Sequence, residues 1–199
     1  MNLRKLEAKD APLMLEWTRD ESVTRDLSAN FGKKTERDCL SFIELAKEDT
    51  SNIHLAIVSD EDEYMGTVSL KHIDKVNKRA EFAIAIREKA MGRGYSWFGM
   101  NEIIKLGFNV YKLDAIYWCV SKKNTRACKF YDKHGFYEML DVDDDILRMY
   151  EGFTDLKWYI VKNDKKSGYG RRPYRLFSLL NIKTIGTENA GQLSYLEGV

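Results

Sequence analysis

Lys89-Ala-Met-Gly92-Arg93-Gly94-Tyr95-Ser96 joins a strand-like run, 80–86, to a helix-like one, 96–110. Glycine reaches positive φ at little steric cost, so Gly92 and Gly94 mark a tight turn between the two. The first turn of a helix carries N–H groups without intrahelical acceptors and the positive end of the helix dipole. A phosphate fits such a turn. Alone the motif is weak, because glycine turns before helices also serve structure only. A dinucleotide-binding fingerprint needs a third glycine where Trp97 stands, and it belongs to an early β-α unit. Here three β-rich runs come first. No Gly-Lys-Ser/Thr follows, so a P-loop is excluded.

Toward the N-terminus, Leu3 to Leu6 reads as a short strand. Asp10 is the expected N-cap of a first helix, with Pro12 in its first turn and Leu13, Met14 and Trp17 on one face. A second helix is expected from Thr35, where Asp38 completes a capping box and Leu40, Ile43 and Ala46 follow at helical spacing. Runs 53–58, 64–73 and 80–86 are β-rich and are separated by the polar turns 60–63 and 74–78. In the middle run Val68 and Leu70 alternate with Thr67 and Ser69. Short turns between three strands predict an antiparallel meander.

Toward the C-terminus, Trp97, Met100, Ile103, Ile104 and Phe108 give 96–110 an apolar face. Run 115–120 is a dense apolar strand, as in the middle of a sheet. Asn124 to His134 reads as a helix with Gly135 at C′. Further strands are expected at 136–140 and 153–161, separated by a segment that opens with the acidic run 141–145. No internal repeat is visible.

With 199 residues the chain can bury one sizeable core. Its net charge of +1 gives no bulk argument for nucleic acid or a membrane surface. Cys39, Cys119 and Cys128 form no C-x-x-C pair, and His54, His72 and His134 lack metal-ligand spacing. Neither a disulfide framework nor a metal is expected. No apolar h-region or membrane-length run is present, so the expected location is cytoplasmic.

A second stretch sharpens the first: Asn124-Thr-Arg-Ala127-Cys-Lys-Phe130-Tyr131-Asp-Lys-His-Gly135-Phe136. A phosphate-holding turn followed by a tyrosine that can donate a proton suits acyl transfer from a coenzyme A thioester. Order and residues together resemble the GNAT superfamily of acetyl-CoA-dependent N-acetyltransferases. The family's Arg/Gln-x-x-Gly-x-Gly/Ala signature is matched by Lys89-x-x-Gly92-x-Gly94, with Lys in the first place. Lysine keeps the charge and loses the planar fork, so the backbone cradle should survive while the side-chain contact differs. The later signature, Asn-x-x-Ala/Ser-x-x-Phe/Leu-Tyr-x-x-x-Gly-Phe, is matched throughout. The opening, from Leu3, Arg4 and Leu6 through Asp10, Leu15, Trp17 and Val23, resembles the branch with ribosomal-protein and amino-sugar N-acetyltransferases. The resemblance covers about 1–161. It implies a GNAT-like α/β (α+β) fold: a mixed, mostly antiparallel sheet of about seven strands, helices on both faces, over 1–162. The remainder, 163–199, is a basic and apolar extension, expected to dock on the core or a second subunit.

The resemblance also implies roles. Ile84, Ala85 and Ile86 would part from the neighbouring strand and pair with the pantetheine arm of acetyl-CoA. N–H groups over Met91, Gly92, Arg93, Gly94, Tyr95 and Ser96 would hold its pyrophosphate without a metal, and Arg93 would add a charge. Asn124 would bond the pantetheine arm or order a water, Ala127 would sit beside it, and Tyr131 would lie near the sulfur. An alkylamine with pKa near ~10 must lose a proton before it attacks. Glu81 is the candidate base, acting through water. The backbone amide near Ile86 would polarise the thioester carbonyl. The leaving thiolate, with a conjugate-acid pKa near ~8.5, would take a proton from Tyr131.

Plainer readings stand beside these. Tyr131 can be a core tyrosine, Glu81 an exposed strand-end carboxylate, and Trp97, Trp118 and Trp158 core aromatics. Cys119 and Cys128 read as small buried hydrophobes, and His134 as a helix-end dipole partner. The acceptor pocket is expected from 18–34 and from the segment opening at 141–145. The acidic run suits a cationic amine such as a polyamine, an aminoglycoside or a peptide N-terminus, and equally an ordinary solvated loop. Arg19, Arg25, Lys33 and Lys34 suit a nucleotide-linked amino sugar. No nucleic-acid or membrane partner is expected; a homodimer is. The alternative function is a non-catalytic acyl-CoA-binding module of the same fold, and a plain nucleotide-binding protein comes third.

Overall fold

The alternating runs pair as hairpins, and four further strands complete the sheet. The computed structural model describes residues 1–25, 27 and 31–163. Its strands are β1 (Asn2–Lys5), β2 (Ile53–Val58), β3 (Tyr64–Asp74), β4 (Arg79–Ile86), β5 (Ala115–Ser121), β6 (Tyr137–Glu138) and β7 (Leu156–Lys162). Its helices are α1 (Ala11–Thr18), α2 (Glu21–Thr24), α3 (Glu36–Glu48), α4 (Tyr95–Asn109), α5 (Thr125–Lys133) and α6 (Asp144–Met149). Strand order is β1-β2-β3-β4-β5-β7-β6. All neighbours run antiparallel except β4 and β5, which are parallel and are joined across one face by α4. The expected mixed α/β (α+β) architecture is met. The expected extension lies outside the described residues, apart from Asn163.

Side chains on β4 divide the two faces. Ala80, Phe82, Ile84 and Ile86 join a core with Met100 and Ile103 of α4. Ala85 packs on the opposite side, against the core built from α1, α3 and Tyr64. Ile146 of α6 packs beside Tyr117 and Trp158. In the second core Trp17 Nε1–H donates to Tyr64 Oη at 3.0 Å, and that hydroxyl meets Thr67 Oγ1 at 2.7 Å. Two polar tips are thereby satisfied in an apolar setting.

Local signals mostly hold. Thr35 and Asp38 form the capping box of α3 in both directions. Asp10 differs: it is buried and caps nothing at α1. Its carboxylate takes Arg4 in a two-pronged pair at 2.7 and 2.8 Å and accepts the Glu7 N–H at 2.9 Å. A 3₁₀ turn, Ala8–Asp10, runs straight into α1 and leaves no cap position there. The β3 alternation predicts two unlike faces, yet Thr67 and Ser69 are buried as well as Val68 and Leu70. Helices cover both sides of this central strand. β6 keeps only two residues of the expected 136–140, and Leu140 points to solvent. β7 starts at Leu156, after a turn with Asp155 at φ 64°. Among the described residues no helix is long and apolar enough to cross a membrane, and no three His, Cys, Asp or Glu side chains group to hold a metal.

Gly66 fixes how closely β4 lies on β3. A Cβ there would stand 2.4 Å from the Ala85 carbonyl oxygen and 2.7 Å from Ile86 Cδ1. Backbone cannot yield as a flexible side chain can. Gly66→Ala should therefore destabilise the fold by about 1–3 kcal/mol, as overpacking does; urea unfolding checks this, and an unchanged midpoint would contradict it.

Candidate active site

β4 and β5 pair only at Arg79–Ala115, Ala80–Ile116 and Glu81–Tyr117. Beyond Glu81 they part, although β4 runs on to Ile86 and β5 to Ser121. β3 still holds the outer edge of β4, and β7 that of β5. Facing each other across the gap are strand edges with no ladder between them, a place where an extended ligand can pair. A cavity of about 680 Å³ fills the gap and its two mouths.

Of the expected residues, Glu81, Ile84, Ala85, Ile86, Met91, Gly92, Ser96, Asn124, Ala127 and Tyr131 all line this cavity. Arg93, Gly94 and Tyr95 do not. The Tyr95 ring is buried in the core, and the Arg93 guanidinium lies 6.0 Å from the centre of that ring. Gly94 is the N-cap of α4 at φ 87°, preceded by Gly92 at φ 73°. The first intrahelical bond at this end runs from the Phe98 N–H to the Gly94 carbonyl. The N–H groups of Tyr95, Ser96 and Trp97 are thus left for a ligand, as a phosphate cradle requires. Lys89 turns away and pairs with Glu63 at 2.9 Å, which explains why lysine serves in that place. Buried Arg87 anchors the turn: it grips both Glu16 oxygens at 3.0 and 2.7 Å, Glu63 at 2.9 Å and the Tyr64 carbonyl at 2.9 Å.

Two cations that sequence reasoning passed over, Lys123 and Arg126, also line the cavity. Arg126 Nη1 donates to the thioether sulfur of Met91 at 2.7 Å, a weak acceptor for a guanidinium. Their signal was the basic run flanking Asn124, Lys122-Lys123-Asn124-Thr-Arg126. Asn124 caps α5: its Oδ1 accepts the Ala127 N–H at 3.0 Å. Only its NH₂ remains to meet a ligand. Tyr131 packs against Trp118, ring centres 5.2 Å apart, and among the described residues no group bonds its hydroxyl. Burial, then Cys128 and Cys119, hold its phenol above the ordinary value, so it stays protonated at neutral pH. Trp118 is more than a core aromatic: it lines the cavity with its indole N–H unpaired. His134 bonds the Phe130 carbonyl through Nδ1 at 2.8 Å and stacks on Trp97, in keeping with a helix-end role.

Glu81 lies on the other side of the sheet from Tyr131, since Phe82, its neighbour in β4, meets Trp118. It is buried, not an exposed strand-end carboxylate. Lys71 Nζ holds Oε1 at 2.6 Å, while Oε2 is buried without a hydrogen-bond partner. Burial, then Glu81, hold the Tyr150 phenol above its ordinary value. Burial likewise pushes the Cys119 thiol up to about 11, which leaves it a poor nucleophile. Val23, Arg25 and Leu27 reach the cavity from the 18–34 region, and Tyr150, Phe153, Thr154 and Leu156 from the segment after α6. The acidic run itself does not. Asp143 and Asp145 pair with Arg79, so their charge is answered within the chain.

A family model described as the acetyltransferase (GNAT) domain matches residues 1–137. The chain belongs to the GNAT acetyltransferases, enzymes whose co-substrate is acetyl-CoA. It is 28% identical over 154 residues to the uncharacterized N-acetyltransferase p20 of Bacillus licheniformis, covering 76% of this chain and 84% of that protein. It is 33% identical over 101 residues to spermidine N(1)-acetyltransferase of Escherichia coli, covering 48% of this chain and 54% of that one. Among solved structures, spermidine N-acetyltransferase from Vibrio cholerae in complex with CoA and spermine superposes with a TM-score of 0.70. The identity is 20%, and 82% of this chain and 96% of that one are covered.

Arg126 beside the cradle generates a prediction. Arg126→Ala should weaken acetyl-CoA binding roughly tenfold, the worth of one charge-assisted hydrogen bond. Titration calorimetry at low and high salt measures it, and the gap between variant and parent should narrow as salt rises.

Proposed function

We propose that the chain acetylates a primary amine by direct attack within a ternary complex, with Glu81 as base and Tyr131 as acid. One observation carries this reading: a single cavity passes between the parted strands, with the Tyr131 hydroxyl on one side of the sheet and the orphaned Glu81 Oε2 on the other. Acetyl-CoA supplies an activated acetyl carbonyl. The N–H groups of Tyr95 to Trp97 and the cations Lys123 and Arg126 suit its phosphates, and the open β4 edge at Ile84 to Ile86 suits its amide-bearing arm. An ammonium acceptor entering between Arg25 and Tyr150 gives up a proton to Glu81 through water. Tyr131 protonates the departing thiolate.

Acceptor class follows from the lining. Among the described residues on the cavity wall, Glu81 is the one acid, and Lys71 already pairs with it. A polyamine of the kind acetylated by the spermidine enzymes would find no second carboxylate among the described wall residues for its further ammonium groups. An amine on a carrier with negative charge, such as a nucleotide-linked amino sugar, fits better. A peptide N-terminus is the second candidate.

Free-thiol release from acetyl-CoA tests this with spermidine, glucosamine 6-phosphate, a nucleotide-linked amino sugar and a tripeptide as acceptors. The anionic amines should turn over fastest. A preference for spermidine would overturn the acceptor reading and leave acetyl transfer intact. Tyr131→Phe should lower kcat by roughly a hundredfold, a typical worth for a general acid. The Kd for acetyl-CoA should not change. Equal loss of affinity would make Tyr131 a structural residue.

A further inference from the structure

Between Lys71 and Asp74, β3 advances three residues while β4, from Glu81 to Arg79, advances two. The extra residue makes a β-bulge, a device that re-aims side chains and is enriched beside active sites. Without it, Lys71 and His72 would point to opposite faces. With it, both reach Glu81: Lys71 Nζ lies 2.6 Å from Oε1, and His72 Nε2 lies 3.7 Å from Oε2. His72 takes a left-handed backbone, φ 51°, which is strained for a residue with a side chain. Its surroundings enforce that shape. Asn52 Oδ1 accepts the His72 N–H at 2.9 Å, Asp49 holds the Asn52 amide at 2.8 Å, and the Ser51 carbonyl accepts the next N–H, of Ile73, at 3.0 Å.

We infer that His72 is a positioning residue of the reaction, the exit through which the proton collected by Glu81 reaches solvent. The inference rests on Glu81 being the base. A buried carboxylate that accepts a proton in every turnover must return it. Lys71 only donates, so Oε1 offers no way out. Oε2 faces an imidazole that can accept at one nitrogen and release from the other, and the His72 side chain is half exposed. The proton balance is simple. The ammonium proton passes through water to Glu81 Oε2 before the free amine attacks the acetyl carbon, and the second proton, shed by the nitrogen as the amide forms, restores the one Tyr131 gives the thiolate. The proton on Glu81 then moves to His72 Nε2, the imidazolium loses the Nδ1 proton to water, and proton exchange of the half-exposed ring with water restores the Nδ1–H tautomer before the next turnover. The distance of 3.7 Å exceeds a hydrogen bond, and a small turn of the ring closes it; catalytic contacts are often long before substrate binds. The other groups facing Glu81 are Tyr117 and Cys119 from β5 and Tyr150 after α6, all held neutral by burial at physiological pH. Arg79 and Asp74 pair with each other beyond the bulge, at 3.8 Å.

His72→Gly is the decisive variant, because glycine adopts this backbone freely and removes the imidazole alone. With the fastest of the four amines named above, kcat between pH 6 and 8 should fall about tenfold or more. The melting temperature and the acetyl-CoA Kd should hold, and added imidazole should restore turnover. His72→Asn, which also tolerates the left-handed region, should show the same loss. Unchanged kcat and pH profile in both variants would overturn the relay, as would a loss that imidazole does not rescue. Glu81→Gln separates the two ideas. Full activity there removes the base and the relay together, whereas an inactive Glu81→Gln beside an active His72→Gly removes the relay alone.

Discussion

The parting of β4 from β5 is the constraint on which everything else in this molecule depends. Three residue pairs hold the two strands together, and past them each strand keeps only its outer neighbour. A sheet opened in this way would ordinarily close or fill. Here it is propped from both sides. Arg87 ties the far end of β4 to α1 and β3, and aromatic packing of Trp118 with Tyr131 and Tyr159 ties β5 to α5 and β7. Acetyl transfer needs a thioester and an amine brought together from opposite directions, and the open seam offers an approach from each face.

Much of the fold was legible because its signals are local. The capping box at Thr35, the β-rich runs of β2 to β4 with their polar turns and the glycine turn each act within a few residues, and each forms as read. The failures were non-local. Asp10 has the right type and place for an N-cap, yet Arg4, six residues earlier on β1, claims its carboxylate. β6 stops after two residues, and neither composition nor spacing marks that stop.

The candidate site was legible in outline and not in charge. Motif spacing singled out residues that do border one cavity, although Arg93, Gly94 and Tyr95 drop out: the Tyr95 ring is buried in the core, and Arg93 lies near that ring. The acidic run misled for a similar reason. Five residues rich in aspartate suggest a lure for cations, until folding places Arg79 among them. Lys71 was silent in the sequence, because only strand register sets it directly across from Glu81. Charge pairing across a sheet is a property of register, and register is not written in any short window.

That dependence gives Gly66 an importance beyond packing. Adjacent residues on β4 face different worlds, with Glu81 toward Lys71 and Phe82 toward the aromatic wall. A slip of one residue against β3 would exchange them, burying a carboxylate among rings and setting a phenyl group where Lys71 now finds its partner. The fit of a bare backbone at Gly66 against the Ala85 carbonyl makes such a slip sterically distinct from the native pairing. A residue with no side chain thus guards which side of the sheet carries the buried charge.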